Sequence, residues 1–373
     1  MLSLLCCAGL ALLLLPAGQS ILSLSAWVPA PLFPLWLWLL LFGTQRYLLQ
    51  RASKAVQLYN ASNAEILGQW SGWAKRSGTI LASAVMLPDE YVAERLMQPA
   101  EHPSGPLTAR PDSCRPLQSI DPGAAVSARE QQLIDQLIIA VGEGLMGVPT
   151  QLFDIASLGI VGTQASDNSH LVQTRLLALS NHWLSGKTAP TPHNPAASIA
   201  QWLDGTEKNC LLVLVTQLHD AQSEAAFTEC GVALLLVPEY MRPEISPQPI
   251  ARLYRPMQIA TDGGQDDMAT WLLHQHGMPG NSQWWITGYS SQQQGELLAR
   301  FADIAGQNTA QQPPLLLDTL LGKLGPLREW TCLALAAEAA SINTDTTALC
   351  AVKNEASQTL VRITAFSSSE SYP

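Results

Sequence analysis

The chain has 373 residues, of which 47% are hydrophobic and only 13% charged, about half the charged share of an average soluble protein. That imbalance excludes a water-bathed globule throughout, and the length allows one large domain or two moderate ones with appendages. Twenty basic against thirty acidic residues give a net charge of −10, so the cationic face that a phosphate backbone requires is missing and nucleic acid is excluded as a partner.

No charged residue precedes Arg46, and the first acid is Glu65. Residues 1–45 therefore predict a transmembrane hairpin in the lipid bilayer. One apolar run covers Leu2–Leu24 and a second Ala26–Phe42, divided at Gly18-Gln19-Ser20 and at Pro29, Pro31 and Pro34. Each is close to the 17–25 residues that span a hydrocarbon core. Trp27, Trp36 and Trp38 suit the headgroup level. A secretory signal is the other reading of the first run, but Met-Leu-Ser-Leu-Leu lacks the basic start that such a signal needs. Arg46, Arg51, Lys54, Lys75 and Arg76 follow with Glu65 alone opposing them, which orients the remainder toward the cytoplasm.

Residues 46–76 read as a basic juxtamembrane stalk, helical from Leu48 to Leu67, and 77–124 as a strand (Gly78–Leu87) followed by a Pro-rich connection. A first α/β half spans 125–248. There Ser127-Ala-Arg-Glu130 is a capping box opening a helix through Leu145. Next come a strand (Phe153–Gly162), a helix (His170–Leu184), a short helix (Pro195–Leu203) and strands Cys210–Gln217 and Gly231–Val237. A second half, 249–373, repeats the scheme: strand Ile250–Tyr254, helix Asp266–His276, strand Trp284–Tyr289, helices Gln293–Gly306 and Leu327–Ala340, and strands Ala348–Val352 and Leu360–Phe366. Two such blocks, each closed by two adjacent strands, predict stacked α/β halves with mixed sheets. Leu211–Val215 and Ala233–Val237 are unbroken apolar runs, as strands covered on both faces should be.

Few constellations point to chemistry. Cys6 and Cys7 lie in the first apolar run; the other five cysteines are scattered singly without a Cys-x-x-Cys pair, which fits buried reduced thiols better than disulfides or zinc. His274 and His276 point about 200° apart on a helix and cannot chelate from one face. Asp262-Gly-Gly-Gln-Asp266-Asp267 lacks the later ligands of a calcium loop. His170, Ser180, His182 and His193 have no Gly-x-Ser-x-Gly elbow to serve. Gly142-Glu-Gly144 and Gly159–Gly162 lack the Lys-Ser/Thr of a phosphate loop. No metal and no cofactor is expected. Trp284 and Trp285 face opposite ways on a strand and stand either as core or as an exposed partner anchor.

The order of elements resembles the thiolase-like fold of ketoacyl synthases, in which two similar α/β halves pack through their central sheets. Three stretches carry the resemblance. The first is Cys210–Glu239, with Leu-Leu-Val-Leu-Val-Thr, Glu224-Ala-Ala-Phe-Thr-Glu and Cys-Gly-Val-Ala-Leu-Leu-Leu-Val-Pro-Glu. The second is Thr287-Gly288 followed by Glu296, and the third is Leu317-Asp-Thr-Leu-Leu-Gly-Lys-Leu-Gly325 leading into Trp330–Ala340. It covers roughly 125–366 and implies a thiolase-like two-half layered α/β domain behind an N-terminal pair of transmembrane helices. Condensation in that family needs a thiolate at a helix N-terminus and two histidines. The corresponding helix start reads Asn194-Pro-Ala-Ala-Ser198; Thr287 or Tyr289 stands for the first histidine, and Lys323 or Pro326 for the second.

The expectation is thus a catalytically inactive, ketosynthase-like protein-binding module. An active membrane-bound acyl-transfer enzyme is the alternative. The C-terminal order of an aspartate, a Gly-x-x-Gly loop, an alanine-rich helix and two strands is also similar to cytoplasmic lipase-adapter proteins of the bacterial type VI secretion apparatus. That similarity implies an accessory role with a secretion component or effector as protein partner; the basic flank places it at a bacterial inner membrane with the large domain cytoplasmic, and the thiolase-like resemblance implies a homodimer. In the ketosynthase arrangement, loops Thr287–Ser291 and Gly322–Pro326 and the helix start Pro195–Ser198 converge. Thr287, Tyr289, Ser290 and Lys323 are the expected partner-binding residues on their rim.

Overall fold

The computed structural model describes residues 29–98, 107, 109–110, 113–146, 157–161, 194–205, 210–219, 226–239, 248–260, 265–275, 281–305, 312–354 and 357–366. The chain divides into two compact units, Met1–Trp70 and Ser71–Pro373. The described part of the first unit is helical, within α1 (Pro29–Ala74). Pro29 and Pro31 occupy its first turn, where amides lack an intrahelical acceptor and proline is tolerated. No proline follows Pro34 until Pro88, so the second apolar run and the stalk form one element rather than two. No helix among the described residues is long and apolar enough to cross a membrane. Beyond Phe42 the same helix carries Gln45, Arg46, Arg51 and Lys54. This corrects the expected pair of transmembrane helices as far as the described part of the second run goes; the first run lies outside the described residues.

The second unit begins with β1 (Ser77–Met86), α2 (Val92–Met97), α3 (Val126–Met146), β2 (Ser157–Val161), α4 (Pro195–Asp204), β3 (Leu211–Gln217) and β4 (Cys230–Pro238). It continues with β5 (Ala251–Tyr254), β6 (Met257–Ala260), α5 (Gln265–His274), β7 (Ser282–Thr287), α6 (Ser291–Ala305), β8 (Leu315–Leu316) and α7 (Leu317–Leu321). A 3₁₀ turn (Gly325–Leu327), α8 (Arg328–Ile342), β9 (Thr347–Lys353) and β10 (Ser357–Ala365) complete it. The expected helix His170–Leu184 lies outside the described residues.

The strands run in the order β2-β3-β4-β1-β5-β10-β9-β7-β8, with β6 beside β10. Read inward from either edge, the two halves match. Parallel pairs come first, β2 with β3 and β7 with β9. An antiparallel closing strand follows, β4 or β10, and then the opening strand of the half, β1 or β5. β1 and β5 pair antiparallel and join the halves. The adjacent closing strands expected from sequence are present in both.

Apolar alternation sorts the side chains into three buried layers. On β3 and β4, Leu212, Leu214, Ala233, Leu235 and Val237 face outward against Leu133, Ile134, Leu137 and Ile138 of α3. Val213, Val215, Val232, Leu234 and Leu236 face inward to a central layer shared with Trp285, Cys350, Val352 and Ile363 of the second half. Trp284, Ile286, Leu349 and Ala351 form the other outer layer with Trp271 of α5 and Phe301 of α6, and the Trp284 and Phe301 rings stack. Trp284 and Trp285 do face opposite ways, but both are buried, which removes them as partner anchors. The central layer is built around α8, whose residues Trp330 to Ala337 are all buried. A helix enclosed between the two halves of the sheet has almost no solvent side, so its sequence is alanine- and leucine-rich all round rather than amphipathic.

Candidate functional site

α4 begins at the place where the resemblance puts a condensing nucleophile. Asn194 caps it, its Oδ1 accepting from the Ala197 amide at 3.0 Å, and Pro195 fills the first helical position. The Ser198 hydroxyl is spent on the Asn194 carbonyl at 2.9 Å. The first turn thus presents alanines and no thiol. Across from it stands Glu329, in the first turn of α8 and 1% exposed. Its Oε2 accepts from Asn354 Nδ2 at 3.2 Å. Burial pushes this carboxyl up to about 7, with Asn354, the Thr359 hydroxyl and the Ala196 backbone pulling it partway back.

The loop after β7 is held by Asp318 of α7. Thr287 is buried, its hydroxyl donating to that carboxylate at 3.1 Å, and the Gly288 amide donates to Asp318 Oδ2 at 2.7 Å. Gly288 has φ of +82°, and a Cβ there would sit 2.3 Å from the Lys353 carbonyl oxygen; only glycine fits this left-handed close approach. Tyr289 does not lie on a rim. It packs into the outer layer with Trp284 and Phe301, its hydroxyl has no hydrogen bond, and burial raises its pKa. Continued alternation of β7 would put residue 289 on the face of Trp285; the left-handed turn at Gly288 breaks it and returns the ring to the outer layer.

Ser290 is exposed and caps α6. Its Oγ accepts from the Gln293 amide at 3.4 Å and its own amide donates to Gln293 Oε1 at 3.2 Å, a reciprocal capping box. Ser290→Ala is expected to lower stability by about 1 kcal/mol, measured as a fall in urea midpoint at constant slope. A variant with an unchanged midpoint would strip the box of its role.

Lys323 is exposed, and its main chain bridges three segments: its amide donates to the Ser113 carbonyl at 3.0 Å and its carbonyl accepts from the Thr228 amide at 2.7 Å. The neighbouring Gln217, at the buried end of β3, ties the same loops together. Its Nε2 donates to the carbonyls of Thr228 (2.8 Å) and Leu324 (3.1 Å), and its Oε1 accepts from the Leu327 amide at 3.1 Å. Arg328 donates to the carbonyls of Gly325 (2.8 Å) and Lys353 (3.3 Å). The structure therefore joins Thr287 to the α7 segment and the α4 start to Glu329. Among the described residues no hydrogen bond or ion pair links the Lys323 side chain to Thr287, Tyr289 or Ser290. Glu329, Gln217 and Arg328 escaped sequence reasoning, and Asp318 entered it only as the aspartate ahead of the Gly-x-x-Gly loop. The one available signal was Glu329, an acid immediately before an unbroken apolar helix run.

Three of the described thiols, all buried, are not poised for attack. Cys210 and Cys230 are pushed up to about 12 by burial, and Cys332, buried against Cys350, is raised as well. Reactive cysteines sit instead in partly exposed, electropositive surroundings.

No family model matches the chain, and no curated protein matches it. Solved structures do. The ketosynthase of the AntDE:AntF complex, a type II PKS acyl-carrier protein with its ketosynthase bound to the hexaketide, superposes with a TM-score of 0.56 at 10% identity. It covers 78% of this chain and 100% of that one. The oxazolomycin ketosynthase domain OzmH KS8 of Streptomyces albus gives 0.51 at 12% identity over 78% and 96%. At such identities the likeness is one of fold, and the second unit accordingly has the mixed α/β architecture of thiolase-like ketosynthases.

Proposed function

We propose that this protein uses a ketosynthase fold to bind a protein partner at a membrane and performs no condensation. One observation carries the reading: the helix start that would present a nucleophile, Asn194-Pro-Ala-Ala-Ser198, has no thiol and lies against the chain's own buried Glu329 carboxyl. The hydroxyl of Thr287 is engaged by Asp318, and Pro326 offers no base. Groups that act as one unit lose nearly all activity together.

The uncharged residues 1–45, with the basic residues that follow, support attachment to a bacterial inner membrane with the C-terminal unit on the cytoplasmic side. The order Asp318, Gly322-x-x-Gly325, alanine-rich helix and two strands supports a partner among type VI secretion components or effectors. Exposed Ser290 and Lys323 supply the accessible polar groups of the surface.

Incubation of the full-length protein with octanoyl-CoA and with an octanoyl acyl-carrier protein is expected to leave its mass unchanged. A covalent adduct on one cysteine would establish the enzyme reading instead. Ser290→Asp with Lys323→Glu, which keeps a helix cap while reversing charge, is expected to weaken co-purification of the partner about tenfold without altering protein amount. Unchanged capture would move the interface elsewhere. A reporter fused after Pro373 should be active in the cytoplasm; a periplasmic signal would reverse the orientation.

A further inference from the structure

Between Leu49 and Ile66, α1 carries a pattern that neither a bilayer nor an intramolecular core requires. Leu49, Val56 and Asn63 are seven residues apart. Ala52, Tyr59 and Ile66, each three further on, repeat with the same period. Apolar residues spaced alternately three and four apart form the a and d seam along which two helices supercoil. Leu49, Val56, Tyr59 and Ile66 are 62%, 57%, 67% and 48% exposed. The charged residues of this stretch, Arg51, Lys54 and Glu65, all occupy outer c or f positions of the heptad. Helices in water owe most of their stability to a covered apolar stripe, and this one is bare.

We propose that α1 pairs in parallel and in register with α1 of a second copy of the chain, with Asn63 facing Asn63. The asparagine identifies the occupant. In a seam of Leu, Ala, Val, Tyr and Ile it is the single amide, and an amide inside such a seam is satisfied by an equivalent amide at the same level of the facing helix. Only an identical helix in parallel register supplies one, and the price in stability is what fixes that register. A membrane surface is the poorer fit. An interfacial helix keeps a continuous apolar face flanked by basic residues, whereas here Asn63 interrupts the stripe and Arg51 and Lys54 lie on the side away from it. Six seam positions over about two and a half heptads make a modest zipper, which attachment of both copies to one membrane would strengthen through effective concentration. The seam itself does not rest on that attachment.

The test is disulfide trapping in the full-length protein. Val56→Cys and Asn63→Cys, both seam positions, are compared with Tyr59→Cys and with the outer-face Ala61→Cys, each oxidised by copper phenanthroline against the wild-type background of native thiols. The parallel seam predicts at least fivefold more covalent dimer for Val56→Cys, Asn63→Cys and Tyr59→Cys than for Ala61→Cys. Trapping at Tyr59→Cys alone, near the middle of the seam, would mark an antiparallel pair and overturn the proposal. Equal yields at all four positions would reduce it to random collision, and no yield above wild type would dismiss it. Running the same oxidation in detergent micelles separates the two readings: dimer there, with the protein absent from membrane fractions of cells, sinks the tether and spares the seam.

Discussion

Arg129→Met is expected to destabilise the second unit by about 3–5 kcal/mol, because it strips a buried carboxylate of its paired cation. Arg129 and Glu229 are 5% and 1% exposed, with Nη2 and Oε2 at 2.5 Å. Glu229 also accepts from the amides of Leu117 and His219, both at 2.8 Å, and Arg129 Nη1 reaches the His219 carbonyl at 3.3 Å. One ion pair thus pins α3, the 113–117 segment and the end of β3 to the start of β4. Removing the cation leaves the buried Glu229 carboxyl with two amide donors and, among the described residues, no ion-pair partner. Arg129→Met combined with Glu229→Gln is expected to recover most of the loss, since the desolvated charge disappears while the amides keep an acceptor. Urea midpoints of the single and double variants decide it. If the single variant stays within about 1 kcal/mol of wild type, the pair is not a fastener. The same variants should speed hydrogen exchange at the amides of Leu117, His219 and Thr228, the last of which holds Lys323 in place.

What the sequence made legible were features written in local periodicity. The unbroken runs Leu211–Val215 and Ala233–Val237 needed cover on both faces and have it. The alternation of Trp284 and Trp285 became two different buried layers, and the alanine-rich helix became the central one. The candidate site was less legible, because its geometry depends on meetings across long separations. Gln217 acts on residues 107 and 110 positions away, and nothing around it in the chain marks it. Asp318 orders Gly288 through a hydrogen bond formed only once β7 and α7 lie side by side. The ketosynthase resemblance put Tyr289 on a rim with the loop Thr287–Ser291, yet the positive φ at Gly288 turns the chain so that its ring re-enters the outer layer. The N-terminal region misled differently. Prolines taken as dividing two spans lie at the start of one long helix, and a run that looks like a span from composition continues directly into charged sequence.

Glu329→Gln is expected to raise stability at pH 8 and leave it nearly unchanged at pH 4.5. The folded carboxyl is pushed from 4.5 to about 7, chiefly by burial, so folding favours its protonated form. A group raised in this way stabilises fully below its unfolded value, and that contribution is lost as pH rises through the folded value. Between pH 4.5 and 7 the wild-type protein must therefore lose stability, by about 3 kcal/mol at the ceiling set by that displacement, while glutamine keeps the shape and an acceptor for Asn354 without a charge to desolvate. Glu338, on the same helix and pushed up to about 8 by burial and by Glu94, slopes the same way in both proteins. The difference between the two curves, not the wild-type curve alone, carries the test. Parallel curves from pH 4.5 to 8 would mean that Glu329 ionises in place, and would reopen the α4 start as a site where a charged group and a bound acyl chain could act together. A difference that grows with pH would instead support a neutral carboxylic acid lodged against the helix start, occupying the ground on which a condensing enzyme would keep its nucleophile.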